Sequence, residues 1–455
     1  MWVLANPCAF REGVWTRSVV EVGATVELQS LHRNARGTGA PMRSKGDPST
    51  LATHVSPSQM RYDLRSRITQ TSISRSLTLL CLGLWAAPAV LAQASLTTRN
   101  AQESSSVRDE HVVHFGGRKA TLADLPESLS ETARETIASW ANWADGDQDG
   151  RYALTMDESA RVLILARKSG SNLRSELKLV KDVLEWSDAR FPAAALDAAD
   201  VGRPGSTEGY TGGALPDHLP VLLLVDGDED LGAVLEHLAR LAPYLASWTT
   251  EARTQNGFVL PLPLVGAYLT KDKRLKEWSP EHELLNRLTR LLLLQRFGQQ
   301  PEWISQGLAW EMEWDHAGSI WSYARREGFV YASEHDSWDD RLRRAFSDRK
   351  DKPLTASELC ALDRGGFEAD AALVAWGASA FLARHHASEL GQVLSLLAAD
   401  RKAGARKDLG NGRWTLVPDY VTPPEKQVQI LRDVLGPDVL SQMVASFVKG
   451  KSYRP

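Results

Sequence analysis

The chain has 455 residues, of which 43% are hydrophobic and 24% charged, an ordinary globular composition that can fill a sizeable core. Its formal net charge is -4, from 53 basic and 57 acidic side chains, so it lacks the basic excess expected of a nucleic-acid binder or of a protein held on an anionic membrane. The 15 tryptophans are a high count, and most are expected in the core.

Residues 1–59 are rich in Arg, Gly, Ser and Pro without a sustained period, which predicts a disordered leader or a segment upstream of the true start at Met60. Residues 77–92 form an apolar run, LTLLCLGLWAAPAVLA, preceded by Arg61, Arg65, Arg67 and Arg75. The small residues Ala92 and Ala94 that follow suit signal-peptidase cleavage, so 60–94 reads as a signal peptide. A membrane span needs about 20 apolar residues, and an uncleaved anchor is the alternative. The expected location is secreted or periplasmic, with no stable membrane span after cleavage. Of the 3 cysteines, Cys8 and Cys81 fall before the cleavage site, which leaves Cys360 without an intrachain disulfide partner. Leu79-Leu80 before Cys81 argues against lipidation.

A polar linker is expected over 95–127 and a short helix over 128–143. RYALTM (151–156) and ARVLILAR (160–167) read as two strands around the turn at 157–159. A helix over 172–190 carries Leu173, Leu177, Val180 and Leu184 on one stripe. Residues 193–217 read as a loop, 220–225 as a buried strand, 229–252 as a helix and 257–270 as a strand pair. Helical spacing then recurs over 280–297, 301–314, 356–362, 369–386, 389–400, 424–435 and 437–448. The expected fold class is α+β: a small mixed sheet in an α/β part over 128–270, then a mostly helical part over 271–455.

The stretch NRLTRLLLLQRFGQQPEWISQGLAWEMEW, residues 286–314, resembles the zinc-site region of gluzincin metallopeptidases, particularly the bacterial peptidase-MA-like families. Their pattern is HExxH on one helix, then a Pro-x-Trp segment with Glu-Gly-x-Ala opening a second helix. Two histidines at i and i+4 reach one metal from one helix face, the adjacent glutamate serves as base, and the later glutamate is the third ligand. The scaffold residues match at Arg296-Phe297-Gly298, Pro301, Trp303 and Gly307-Leu308-Ala309. The chemical positions do not: Asn286 and Arg290 stand for the histidines, with Thr289 between them, Arg287 stands for the base and Gln306 for the third ligand. Amides are poor zinc ligands, and a guanidinium repels a cation and takes up no proton. The resemblance is close over about 40 residues and diffuse over residues 150–450.

The resemblance therefore implies an exported pseudopeptidase that binds no zinc, has no catalytic residues, and keeps a groove for an unknown peptide or protein ligand. Asn286, Arg290 and Gln306 are expected to sit together and hydrogen-bond one another. The groove tryptophans Trp303, Trp310 and Trp314 either line it or pack. A rival register reads His282-Glu283-Leu-Leu-Asn286 as HExxH with its last histidine lost, keeping a ligand and a base, with Glu311 or Glu313 as a further ligand. In that register the chain is an active zinc metallopeptidase. A third reading is a structural exported protein with no ligand.

Asp145, Asp147 and Asp149 begin like a calcium loop, but Met156 stands where a bidentate Glu is needed, so a solvated turn is the first reading and weak calcium the second. His385-His386 suit a helix C-terminus, and His316 and His335 stand alone. Cys360 reads as a structural thiol. Nucleophile-elbow, P-loop and dinucleotide motifs are missing from the sequence.

Overall fold

The computed structural model describes residues 112–115, 118–168, 173–192, 212–271, 279–322, 337–347, 355–362, 369–410, 413–417 and 420–449. The expected leader, the signal peptide, most of the 193–217 loop and His335 lie outside the described residues. The first half runs β1 (Val113–Phe115), β2 (Arg118–Ala120), α1 (Glu131–Asn142), β3 (Tyr152–Met156), β4 (Leu163–Arg167), α2 (Arg174–Arg190), β5 (Val221–Val225), α3 (Asp228–Leu241), α4 (Ala246–Ala252), β6 (Gly257–Leu260) and β7 (Val265–Leu269). The second half runs α5 (Pro280–Phe297), α6 (Glu302–Ala317), α7 (Trp338–Ser347), α8 (Ala356–Cys360), α9 (Ala369–His385), α10 (Ala387–Gly404), the hairpin β8 (Arg406–Gly410) and β9 (Arg413–Leu416), α11 (Pro424–Leu435) and α12 (Val439–Lys449). The fold is α+β.

Seven strands form one mixed sheet in the order β2-β1-β3-β4-β5-β7-β6. The run Val221-Leu-Leu-Leu-Val225 is buried at every position, as befits a parallel strand covered on both faces. Side chains alternate across it. Val221, Leu223 and Val225 pack with α1 and α3 on one face, while Leu222 and Leu224 pack with α2 and α5 on the other. A third core is mostly helical and joins α6 and α9 to α10, α11 and α12. Each large apolar side chain buried there contributes about 1.5–3 kcal/mol.

Four local expectations need correction. The linker expected over 95–127 carries β1 and β2, whose 3-residue lengths leave too little alternation to read but which complete hydrogen bonding at the sheet end beside β3. The helix expected over 229–252 breaks at Ala242, because Pro243 has no N–H to continue it and starts a short 3-10 turn before α4. The helix α7, with Trp338, Leu342 and Phe346 buried at every fourth position, was not expected. Nor was the hairpin of β8 and β9, whose charged sequence gives no strand pattern.

Candidate functional site

Helix α5 starts where Ser279 caps it and Pro280 takes its first position, where a missing N–H costs nothing. It lies between the sheet and α6, so nearly every side chain from His282 to Leu293 is buried. Its polar residues must therefore find partners inside the protein. The Arg287 guanidinium places Nη2 2.5 Å from Glu283 Oε2, one helical turn earlier, and Nη1 donates to Asn286 Oδ1 at 3.0 Å. Asn286 Nδ2 in turn donates to Glu313 Oε1 on α6 at 2.9 Å. The other oxygen of Glu313 accepts from the backbone N–H groups of Trp321 and Ser322 at 3.0 and 3.2 Å, and lies 3.2 Å from His282 Nδ1. One connected network thus runs through both registers of the motif and ties the segment after α6 to α5.

Burial pushes the Glu283 carboxyl up to about 7, a shift that the Arg287 guanidinium opposes and the Glu313 carboxylate reinforces. Beside this pair the sheet edge makes room: a Cβ on Gly257 of β6 would lie 2.5 Å from Ala267 O and 2.8 Å from Arg287 Nε. Only glycine lets the guanidinium pass this close to the strand.

The expected trio does not form as expected. Asn286 is bonded to Arg287 and Glu313, not to Arg290 or Gln306. Arg290 reaches across the interhelical turn to Glu302, with Nη2 to Oε1 at 3.2 Å. Gln306 is buried, and its Nε2 has no hydrogen-bond partner. The physical reason lies in where the two residues stand along α6. Glu313 stands seven residues beyond Gln306 and so shares its helix face, and its carboxylate is a stronger acceptor for the Asn286 amide than a second amide would be.

Glu311 and Glu313, both open to the rival register, part company because residues two apart face opposite sides of a helix. Glu311 turns to α9, accepting from Trp376 Nε1 at 3.1 Å and from Arg384 Nε at 2.5 Å. Arg384 also lies 3.6 Å from Asp315, which accepts from Trp186 Nε1 at 2.9 Å and from Arg190 at 3.3 Å. Burial pushes the Glu311 carboxyl up to about 7 against the pull of Arg384. The sequence reading missed this second network, and the arginines at the ends of α2 and α9 were its available signal.

The tryptophans expected near the groove pack rather than line it. Trp303, Trp310 and Trp314 are all buried, and Trp303 Nε1 donates to Gln427 Oε1 at 2.8 Å while Trp310 Nε1 donates to Ser322 O at 2.8 Å. A cleft of about 650 Å³ lies against the edge strand β6, and these three tryptophans are not in its lining. Its lining includes Trp248, Val259, Pro261, Arg290, Glu302 and Val421.

No protein-family model matches the chain, and no curated protein does.

Among the described residues, no three His, Cys, Asp or Glu side chains stand where they could share a metal ion. At the acidic turn, Asp147 pairs with Arg240, and Asp145, Asp147 and Asp149 do not converge. His385 and His386 both pack against Phe381, and His316 Nδ1 lies 4.0 Å from Asp182. Burial pushes the Cys360 thiol up to about 12, far from the range of a nucleophilic thiolate.

Proposed function

We propose that the chain is an exported pseudopeptidase: a gluzincin-like scaffold that no longer holds zinc and that binds peptide in the cleft beside β6. The observation that carries this reading is the position of Arg287. In the leading register it stands where the general base belongs, its charge is permanent, and it is joined to Glu283 and Asn286 in a place closed to water. A zinc ion there would face a cation, and the base of the rival register, Glu283, is the carboxylate that the guanidinium occupies. His282, the histidine of that register, faces the Glu313 carboxylate, which already accepts three hydrogen bonds.

Peptide binding draws support from the sheet edge. Leu269 N donates to Asn256 O at 2.8 Å, so by antiparallel alternation Gly257 and Val259 turn their N–H and C=O groups away from β7. Val259 also lines the cleft, where an extended peptide can add as a further strand. The test is hydrolysis of a fluorogenic peptide library by the purified chain with and without a zinc chelator. The reading expects no chelator-sensitive cleavage, and any such cleavage that Glu283→Gln abolishes would establish the active-enzyme reading in its place.

A further inference from the structure

We infer that the cleft selects an extended peptide segment whose successive residues are all apolar, because the strand it adds to β6 is covered on both faces. This rests on the cleft being a peptide groove and adds which peptides the groove takes. The sheet's own strands show the principle. β5 and β7 are buried at every position, since one core lies on each face of the sheet, and both strands read as continuous apolar runs. β6 stands at the end of the strand order beside β7 and keeps the same division. Its Phe258 and Leu260 belong to the core under α1 and α3, while Val259 packs against the core under α2 and α5.

Both cores run on past β6 into the cleft. Leu245 and Leu260 of the first core line it, together with Trp248, which is half-buried against that core. Val259 and Leu294, half-buried against the second core, line it as well. Two apolar layers thus end half-covered at the same edge. The backbone between them is placed to receive a strand: Val259 stands opposite Gly266 and turns its N–H and C=O away from β7. Successive side chains of an added strand point to opposite faces, so one set meets the layer of Leu245 and Trp248 and the next set meets the layer of Val259 and Leu294. A strand that alternates apolar with polar residues would press its polar set against one of these layers, where a hydroxyl loses water and gains little in return. β6 has 4 residues and so pairs with a ligand segment of about four residues, roughly 13 Å long.

The test measures fluorescence anisotropy of the purified mature chain with labelled, end-blocked peptides that share polar flanks. Their central residues are Val-Val-Val-Val, Val-Thr-Val-Thr or Thr-Val-Thr-Val, so that all three have the same shape and β-branching, and the last two are apolar on one face only. A fourth peptide is the all-Val sequence with alternate amide nitrogens methylated, which removes backbone donors. The all-Val peptide is expected to bind at least roughly tenfold tighter than either alternating one. Methylation should abolish its binding, and so should Val259→Pro, which deletes an N–H that points away from β7 and leaves the ladder with β7 intact. Val259→Ala keeps that N–H and should weaken binding less. If Val259→Pro does not fold, the methylated peptide on the unaltered chain still decides. An alternating peptide that binds as tightly as the all-Val one, or a methylated peptide that binds as well as its parent, would overturn the inference and leave the peptide groove standing. Binding by none would overturn both.

Discussion

Arg287 Nη2 and Glu283 Oε2 stand 2.5 Å apart on one face of α5, and neither side chain reaches solvent. An ion pair taken wholly out of water gains little net stability, because desolvation offsets the attraction, but breaking it exposes that cost in full. Arg287→Ala should therefore destabilise the fold by about 3–5 kcal/mol, since Glu283 stays buried without its partner. The pair replaced together, Glu283→Leu with Arg287→Met, should recover most of that loss. Urea denaturation of the two variants against the parent chain checks both statements.

The same burial sets a pH dependence. Glu283 and Glu311 both have folded-state pKa values raised to about 7 from 4.5, chiefly by burial. The folded protein thus binds protons that the unfolded chain has released between these values. Their contribution is fully present below about 4.5 and is lost as pH rises through about 7. The melting temperature should be higher at pH 5.5 than at pH 7.5, and Glu283→Gln combined with Glu311→Gln should flatten that slope. Scanning calorimetry at the two pH values provides the comparison; a melting temperature that rises with pH in this window would contradict it.

Helices α6 and α9 meet at Gly307. A Cβ there would lie 2.5 Å from Ala375 O, a backbone atom that cannot rotate away. Gly307→Ala should cost about 1–3 kcal/mol by forcing the helices apart, despite the better helix propensity of alanine. Equilibrium denaturation that shows Gly307→Ala as stable as the parent would mean that the two helices do not approach this closely.

Export is tested at the N-terminus. The basic, apolar and small-residue order over 61–94 leads us to expect a mature chain beginning at Gln93 or Ser95. N-terminal sequencing of the exported product decides it, and an intact N-terminus upstream of residue 77 would exclude cleavage.

Much of the frame around the site was readable from sequence. Ser279-Pro280 and Gly298 to Pro301 bracket α5 and open α6 by cap and turn chemistry, and the apolar spacing between them is unmistakably helical. The residue types at Asn286, Arg287, Arg290 and Gln306 were equally readable, and at the positions that the proposed resemblance gives to zinc chemistry they are unsuited to it. The bonding partners were not. Whether Asn286 meets Gln306 or Glu313, which share one face of α6, depends on how the two helices are placed along one another, and that is a property of the packed pair rather than of either sequence. The short β1 and β2 were hidden for a related reason: a 3-residue strand is specified by the neighbour it pairs with more than by its own pattern.

The most direct measurement of the central claim is the metal content of the exported chain, purified after expression in zinc-supplemented medium and dialysed without chelator. With Arg287 beside the site and Asn286 and Glu313 engaged with each other, elemental analysis should find zinc far below one equivalent per chain, and added zinc should leave the melting temperature unchanged. Close to one zinc per chain, lost together with stability in His282→Ala, would show that the rival register holds a metal and would contradict the account.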